Sequence, residues 1–207
     1  MPLGDAAILV RFSDALSNEA NAAAIGFAID LERESLSGIV EVAPNLVSVL
    51  VRYDPVRSDF ETITGALRLR LSRAPAAVAD AQNWVINTIF DGADIEEAAS
   101  VLGMSVPAFV SVHNAKPLRV LATGFAPGFV YCGLHPDALV LPRRTTVRAS
   151  VPAGTVLFAA GQTAITATEI PTGWHVIGRT DFINFDATAE APTRLRAGDR
   201  VSFAVQP

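Results

Sequence analysis

The chain has 207 residues, which suffices for two small domains, and it is 50% hydrophobic and 18% charged, which excludes a disordered chain. Its formal net charge of −5, without a basic run beyond Arg143–Arg144, argues against nucleic acid as a partner. The single cysteine excludes an internal disulfide and fits a reducing compartment. Neither a signal peptide nor an apolar run of roughly 20 residues is present, so we expect a cytoplasmic protein without a membrane span.

The first predicted elements are a strand, a helix and a β-hairpin. Residues 6–12 are an apolar run typical of a strand. Ser17 is a suitable N-cap for the helix that follows, whose apolar residues recur at helical spacing to about residue 35. The β-branched runs 39–43 and 47–53 are joined by a Pro-Asn turn signal and therefore predict two neighbouring strands.

A second helix and one further strand complete the predicted N-terminal domain. Ser58 and Glu61 have the spacing of a capping box, and the apolar residues after them mark a helix with one buried face. The Ala/Pro-rich stretch 74–81 is typical of a linker, and the run 84–90 would supply a final strand. This order predicts an α+β domain that is ferredoxin-like if a final strand such as 84–90 completes its sheet, and we place the domain itself at residues 1–82.

Residues 83–207 predict a second, β-rich domain. Asp94 and Glu97 have the spacing of a cap for a short helix, and Ser105 begins another helix that runs to about His113. The remainder consists of short β-runs punctuated by glycine and proline, a pattern that indicates a closed barrel or a sandwich. These runs are 118–123, 155–160, 163–168, 174–180 and 200–205.

The segment from Gly124 to Phe129 is the most unusual in the chain. Gly124 and Gly128 allow positive φ and a close approach of backbone to a ligand, and Pro127 stiffens the turn. Phe125 and Phe129 are suited to line a pocket. The alternative is a barrel corner in which both rings belong to the core.

Two later segments carry polar groups suited to a ligand. Gln162 and Thr163 follow a glycine and could hydrogen-bond an amide or a carboxylate, although hairpin chemistry alone also explains them. In the run that begins at Trp174, alternation would place Arg179 on the same face as His175, and the Arg179 guanidinium suits a carboxylate or phosphate. The alternative is a surface strand with a solvated arginine.

The remaining reactive residues give weaker indications. His113 is either structural or an acid/base, because free imidazole titrates near neutrality. His113, His135 and His175 lie far apart in sequence, so we expect no metal site. Cys132 is more typical of a small buried residue than of a nucleophile. Lys116 has no flanking methionine and does not resemble a biotin attachment site, and no Walker loop occurs.

Taken together, these motifs resemble the family of B-type 5-oxoprolinase subunits, whose members are also described as allophanate hydrolase subunit 1 or as KipI-type kinase inhibitors. The resemblance runs in order along essentially the whole chain. It rests on GDAAILVRF at 4–12, SVLVRYDP at 48–55, GFAPGFVYCGL at 124–134, LPRRTTVRASVPAGTV at 141–156, AGQTAITATEIPTGWHVIGRT at 160–180 and LRAGDRVSF at 195–203.

The resemblance implies a ferredoxin-like domain followed by a cyclophilin-like β-barrel. It also implies a C-type partner with a related barrel, an A-type third subunit, and ATP, with Mg²⁺, bound at an interface of the complex. The implied reaction opens 5-oxoproline to glutamate after phosphorylation of the lactam oxygen. In that chemistry the protein mainly positions groups and stabilises charge.

The resemblance also implies roles for the residues singled out above. Arg179 would hold a carboxylate or phosphate, and His113 would be an acid/base. Gln162 and Thr163 would orient the amide, and Trp174 would contact the substrate. The loop from Gly124 to Phe129 would line the cavity.

Two segments depart from the family pattern. Residues 89–95 lack the usual Tyr-Gly-Gly, and residues 164–167 lack the Gly and Tyr that usually follow the glutamine motif. A paralogue with another substrate or weak activity is therefore an open alternative. Two further functions also remain open: a regulatory protein that inhibits a histidine kinase, and a part of an allophanate or urea-carboxylase-type carboxyltransferase.

Overall fold

The computed structural model describes residues 1–72 and 81–207, and the chain divides into two compact units, Met1–Asp80 and Ala81–Pro207. Both units contain helices and strands, so the predicted mixed α/β content is confirmed. The linker predicted at 74–81 falls outside the described residues, apart from Ala81. No single helix within the described ranges is long and apolar enough to cross a membrane, and only a bent pair of short helices passes such a test together.

The N-terminal unit is a three-stranded antiparallel sheet with two helices. Its elements are β1 (Ala7–Arg11), α1 (Asn18–Arg33), β2 (Ile39–Pro44), β3 (Ser48–Tyr53) and α2 (Phe60–Leu71). The strand order is β1-β3-β2, with β3 in the middle. Buried residues of β1 and β3 pack with buried residues of both helices in one core, so α1 and α2 cover the same face of the sheet.

Local hydrogen bonds explain where these helices begin. Ser17 accepts a hydrogen bond from the backbone N–H of Ala20, as predicted for an N-cap. The cap of α2 is Asp59, which accepts from the backbone N–H of Thr62, so the prediction of a cap at Ser58 was one residue too early. The Asp59 carboxylate interacts with the N–H groups of the first helical turn through a full negative charge, whereas a serine hydroxyl offers only a dipole.

The C-terminal unit contains nine strands and two short α-helices. They are β4 (Asn83–Thr88), α3 (Ile95–Val101), α4 (Val106–His113), β5 (Leu118–Thr123), β6 (Val130–Gly133), β7 (Arg148–Val151), β8 (Thr155–Ala159), β9 (Gln162–Ile165), β10 (Ile170–Thr172), β11 (His175–Arg179) and β12 (Arg200–Val205). Seven strands form one sheet in the order β11-β8-β9-β6-β5-β12-β4, and β7 pairs separately with β10. The predicted cap residue Ser105 accepts from Ala108 at 3.4 Å at the start of α4.

The two edges of the seven-stranded sheet meet. Ile89, directly after β4, exchanges two backbone hydrogen bonds of 2.9 Å with Arg179 at the end of β11. The sheet therefore curls until its first and last strands touch at this seam. The strand predicted at 84–90 corresponds to β4, which pairs in parallel with β12 and does not complete the N-terminal sheet, so that part of the ferredoxin-like prediction was wrong. The cyclophilin-like arrangement stays a prediction.

Each side of the curled sheet carries its own cluster of buried residues. We call the side of Val156, Phe158 and Ile165, which packs against α3 and α4, the inner face. We call the side of Leu157, Ala159 and Ala164 the outer face. Successive strand residues point to opposite sides, so a short strand such as β9 contributes to both clusters.

Candidate functional site

Three buried polar side chains meet on the inner face. The Thr163 hydroxyl lies 2.7 Å from Nε2 of His113 and 2.8 Å from Nε2 of His135. The side chains of all three residues are buried, with Thr163 fully inaccessible. The centroids of the two imidazole rings are 4.6 Å apart, so one hydroxyl links two neighbouring rings.

The hydrogen bonds of this cluster run in one direction. With the Asn114 amide oriented as in the structure, its Oδ1 lies 2.6 Å from Nδ1 of His113, so Nδ1 donates and Nε2 is left as an acceptor. Thr163 then donates its hydroxyl proton to His113 and accepts from the Nε2–H of His135. The arrangement fixes one tautomer in each ring.

Burial keeps both imidazoles neutral. It lowers the pKa of His113 to about 4, and burial together with the repulsion that a protonated His113 would exert lowers the pKa of His135 to about 3. A base that acts near neutral pH needs a pKa in that range, and His113 does not meet this condition in the core. The geometry instead suits a positioning role, in which the pair holds Thr163 and therefore β9 in place.

The two histidines reach this position from different elements. His113 is the last residue of α4 and packs against Phe109, Phe158 and other rings of the inner cluster. His135 lies in an irregular segment whose backbone N–H donates to the carbonyl of Gly161 at 2.9 Å. His135 was not among the predicted site residues, because nothing in its local pattern distinguishes a buried loop histidine from an exposed one.

The loop from Gly124 to Phe129 has the predicted glycine conformations. Gly124 and Gly128 have φ of +126° and +68°, and Phe125 also has a positive φ of 76°. A Cβ at Gly128 would lie 2.5 Å from Cβ of Phe185, so only glycine fits there. The loop is closed by a hydrogen bond from the Gly124 N–H to the Phe129 carbonyl.

The two rings of this loop behave differently. Phe129 is buried in the outer cluster, as the barrel-corner alternative expects, whereas the side chain of Phe125 is 74% exposed. Pro127 lies between them at the turn. The loop therefore presents one aromatic residue to the core and one to solvent.

A row of aromatic rings continues from the loop across the outer face. Phe129 contacts Tyr131 at 4.8 Å between centroids, and Tyr131 contacts Trp174 at 5.9 Å. The guanidinium of Arg143 lies 5.7 Å from the centre of the Trp174 ring. Trp174 is thus part of the same cluster as the loop. Tyr131 and Arg143 were not among the predicted site residues.

Gln162 and Thr163 lie on opposite faces of β9. Thr163 packs with the histidines of the inner face, whereas Gln162 follows the alternation of Ala164 on the outer face. The side-chain Oε1 of Gln162 is buried and has no hydrogen-bond partner. An unpartnered buried acceptor is uncommon, and an ordered water, an ion or a ligand would satisfy it.

Arg179 lies apart from the other predicted residues. A bulge in β11 between Val176 and Gly178 shifts the register, so His175 faces inward beside Phe158 and Arg179 points out to solvent. The prediction that Arg179 shares a face with His175 was therefore wrong. At the seam, Arg179 pairs through Nε with the Asp91 carboxylate at 3.0 Å.

Asp94 occupies a buried position that its sequence context did not predict. Its carboxylate makes no cap bond in α3, and instead accepts from Arg144 at 2.8 Å, from Arg148, and from the backbone N–H of Val176 at 2.9 Å. Burial acts to raise the pKa of Asp94, but these hydrogen bonds and the arginine charges lower it overall. Asp94 therefore ties the segment after Leu141 to β11.

Other candidate chemistry finds little support. Burial raises the pKa of Cys132 to about 12, which disfavours the thiolate that a nucleophile needs. Within residues 1–72 and 81–207, no group of three or more His, Cys, Asp or Glu residues could hold a metal ion.

The geometry can be compared with known proteins. The family model described as carboxyltransferase domain, subdomain C and D, matches residues 1–195. A Bacillus subtilis (strain 168) protein, named as the B-type subunit of 5-oxoprolinase, is 30% identical, and the alignment covers 97% of this chain and 90% of that protein.

Two solved structures are also similar. The crystal structure of TTHA0988 superposes with a TM-score of 0.86 at 33% identity, covering 97% of this chain but only 40% of that longer one. The urea carboxylase of Kluyveromyces lactis gives a TM-score of 0.76 over 98% of this chain and 21% of its own chain. At 16% identity this last similarity concerns the fold alone.

Proposed function

Since this chain belongs to the family of B-type 5-oxoprolinase subunits, we propose that it is one subunit of an ATP-dependent hydrolase that opens 5-oxoproline to glutamate. It would act with a C-type partner and an A-type third subunit, in the cytoplasm, and would be inactive alone. The observation that carries the proposal is the end-to-end match to the Bacillus subtilis 5-oxoprolinase subunit, because that match includes both units of the chain.

The outer face offers the features that such a substrate needs. A lactam presents an N–H and a carbonyl in one plane, and the Gln162 amide is complementary to both. The loop from Gly124 to Phe129, with its exposed Phe125, would line the site, and the largely buried rings of Phe129 and Trp174 would support it from the outer cluster. Thr163, held by His113 and His135, fixes the strand that carries Gln162.

Two observations argue against a triphosphate held by this chain alone. Arg179 is already engaged by the Asp91 carboxylate. The loop after β5 uses the N–H groups of Gly124 and Phe129 for its own hydrogen bonds, which removes two of its donors from a phosphate. We therefore propose that ATP and Mg²⁺ bind where partner subunits complete the complex, with Arg179 as a candidate contact to phosphate there.

The other functions stay predictions. Kinase inhibition and a part in a carboxyltransferase both follow from names within the family, and no contact of the described residues favours either. The departures at 89–95 and 164–167 lie in structured parts of the C-terminal unit. A related lactam is therefore the first alternative substrate to test.

The deciding experiment is reconstitution. The chain is co-produced with its C-type and A-type subunits, the complex is isolated, and glutamate and ADP are measured with and without 5-oxoproline. We expect ADP release that depends on 5-oxoproline and is lost when this chain is omitted. An assembled complex that shows no substrate-stimulated ADP release would refute the proposal.

A further inference from the structure

Asn184 is a fully buried amide in the segment between β11 and β12. Its Oδ1 accepts hydrogen bonds from the backbone N–H groups of Arg194 at 3.1 Å and of Leu195 at 2.7 Å. Its Nδ2 donates to the carbonyl of Gly128 at 3.1 Å. Only this orientation of the amide fits, because two N–H donors need an oxygen and a carbonyl needs an N–H. One side chain therefore joins its own segment to the loop from Gly124 to Phe129.

The segment that carries Asn184 is anchored in the core of the C-terminal unit. Leu195, whose N–H donates to Asn184, is fully buried in the inner cluster. Phe185, the residue after Asn184, forms a β-bridge with Thr193, so the two ends of this segment lie side by side. The position of the Asn184 amide is thus set by the core and not by the loop that it contacts.

The loop contains a tight turn whose conformation depends on a glycine. The N–H of Phe129 donates to the carbonyl of Ala126 at 3.1 Å, which places Pro127 and Gly128 at the centre of the turn. The positive φ of Gly128 is typical of a type II turn. Because glycine can adopt many other conformations, a hydrogen bond to its carbonyl from outside the loop selects one of them. Asn184 supplies that hydrogen bond.

Phe125 is the strained residue of the same loop. Its φ of 76° lies in a region that side chains with a Cβ rarely adopt, although its ring is largely exposed. The ring contacts Phe129 edge to face at 5.5 Å between centroids. A strained residue keeps its conformation only where its surroundings enforce it. Asn184, anchored with the inner cluster, and Phe129, buried in the outer cluster, support the loop from two sides.

We propose that Asn184 is a positioning residue for the loop from Gly124 to Phe129. By donating to the Gly128 carbonyl it holds the loop in one conformation and so presents the ring of Phe125 to the substrate. Asn184 itself does not touch the substrate, because it is fully buried. The assignment rests on the proposed function, in which this loop lines the site.

The amide suits this role because it combines an acceptor and a donor in one short side chain. Aspartate has nearly the same shape and offers an oxygen to the N–H groups of Arg194 and Leu195, which favour its charged form. A carboxylate, however, has no N–H for Gly128 and repels its carbonyl oxygen. Asn184→Asp therefore breaks the link to the loop and keeps the hydrogen bonds within its own segment. Asn184→Ala breaks all three hydrogen bonds and introduces no charge.

The first test is hydrogen exchange of the full chain without substrate, followed by NMR. The N–H groups of Gly124 and Phe129 donate the hydrogen bonds within the loop and therefore report its order. In Asn184→Asp we expect both to exchange about tenfold faster or more than in wild type, relative to the amides of β8, as loss of one buried hydrogen bond predicts.

The matched control is Asp199→Asn. It makes the reverse exchange of carboxylate and amide at another buried residue of the same unit, whose carboxylate also accepts from three N–H groups. None of those three donors belongs to the loop. Asp199→Asn should therefore leave the exchange of the loop amides unchanged relative to the amides of β8.

The second test measures turnover of 5-oxoproline by the reconstituted complex. Because Asn184 contacts no reacting atom, Asn184→Asp should raise KM by about tenfold and leave kcat within about twofold, which is the pattern of lost binding. Asp199→Asn should leave both constants unchanged per folded molecule. Phe125→Ala should also raise KM, and Asn184→Asp should then add nothing, because the ring that Asn184 positions is absent.

Three results would each overturn the assignment. One is exchange of the loop amides that changes no more than that of the β8 amides. The second is a change in KM that Asp199→Asn reproduces, and the third is an additive effect of Asn184→Asp in the Phe125→Ala background. If Asn184→Asp does not fold, Asn184→Ala decides by the same criteria.

The two tests separate this assignment from the proposed function. Loop exchange that depends on Asn184, in a complex without substrate-stimulated ADP release, refutes the function while Asn184 remains the anchor of the loop. Substrate-stimulated ADP release with an unchanged KM in Asn184→Asp refutes the positioning role while the function stands.

Discussion

The shared hydroxyl of the inner face gives a quantitative prediction for Thr163→Val. Valine has nearly the shape of threonine but cannot hydrogen-bond, so the substitution removes the partner of Nε2 in both His113 and His135 at once. Each buried polar atom that loses its partner costs about 1–3 kcal/mol. Because valine itself is easier to bury than threonine, we expect a net loss of about 2–4 kcal/mol in the free energy of unfolding.

This loss converts into a large change in melting temperature. With an unfolding entropy of about 2.1 cal/mol/K per residue over the C-terminal unit, Tm should fall by about 7–15 °C. The assay is urea-induced unfolding at neutral pH, followed by circular dichroism and checked by calorimetry. The mid-point should fall without a change in the slope of the transition, since the surface exposed on unfolding stays the same.

Thr163→Ser is the matched control. Serine keeps the hydroxyl and loses only one methyl group, so it should cost about 1 kcal/mol. If Thr163→Val proves no less stable than Thr163→Ser, the hydroxyl does not link the two imidazoles and the positioning role assigned to it is wrong.

Acid and backbone perturbations test two further parts of the C-terminal unit. Because the pKa values of His113 and His135 are about 4 and 3 when folded and about 6.5 when unfolded, the unfolded state binds more protons below pH 6.5. The free energy of unfolding, measured by urea titration, should therefore fall by up to about 2.7 kcal/mol per pH unit between pH 6 and pH 4.5. His135→Asn should make this fall shallower, because one of the two titrating groups is lost. Equal pH slopes in wild type and His135→Asn would show that His135 is not a buried neutral imidazole. Gly128→Ala should destabilise the unit by about 2 kcal/mol more than Gly103→Ala. Both glycines have φ near +69°, so the backbone strain is the same in the two variants. Only at Gly128 would the added methyl group clash with neighbouring atoms, those of Phe185 among them. Equal unfolding mid-points of the two variants would show that the loop yields to the added methyl group.

Local chemistry predicted the elements with long, regular patterns. The strands at 118–123 and 200–205 were found where alternation and β-branched residues placed them, and the helix after Ser17 begins at its cap. The short strands β6, β7 and β10 were missed. They have three or four residues each, which is too few to establish a period of two beside neighbouring glycines and prolines.

The site could be predicted only in part, because its members meet through long-range pairing. The loop at Gly124 could be recognised from its glycines and proline, which act locally. The contact between Thr163 and His135 depends on a turn that brings two distant segments together, and no local pattern encodes it. The side of the strand that Arg179 occupies depends on a bulge, and one extra residue reverses every later side chain.

The parallel pairing of β4 with β12 also determines when the strands of the C-terminal sheet can pair during synthesis. Asn83 of β4 lies opposite Arg200 of β12, and β12 lies between β4 and β5 in the sheet. The neighbour of β4 is therefore the last strand of the unit to be synthesised. At 5–20 residues per second, β4 waits about 6–23 s for its neighbour. During that interval the edge of β4 that β12 later covers is open to pairing with other chains, so we expect aggregation during synthesis to decrease once β12 has been made.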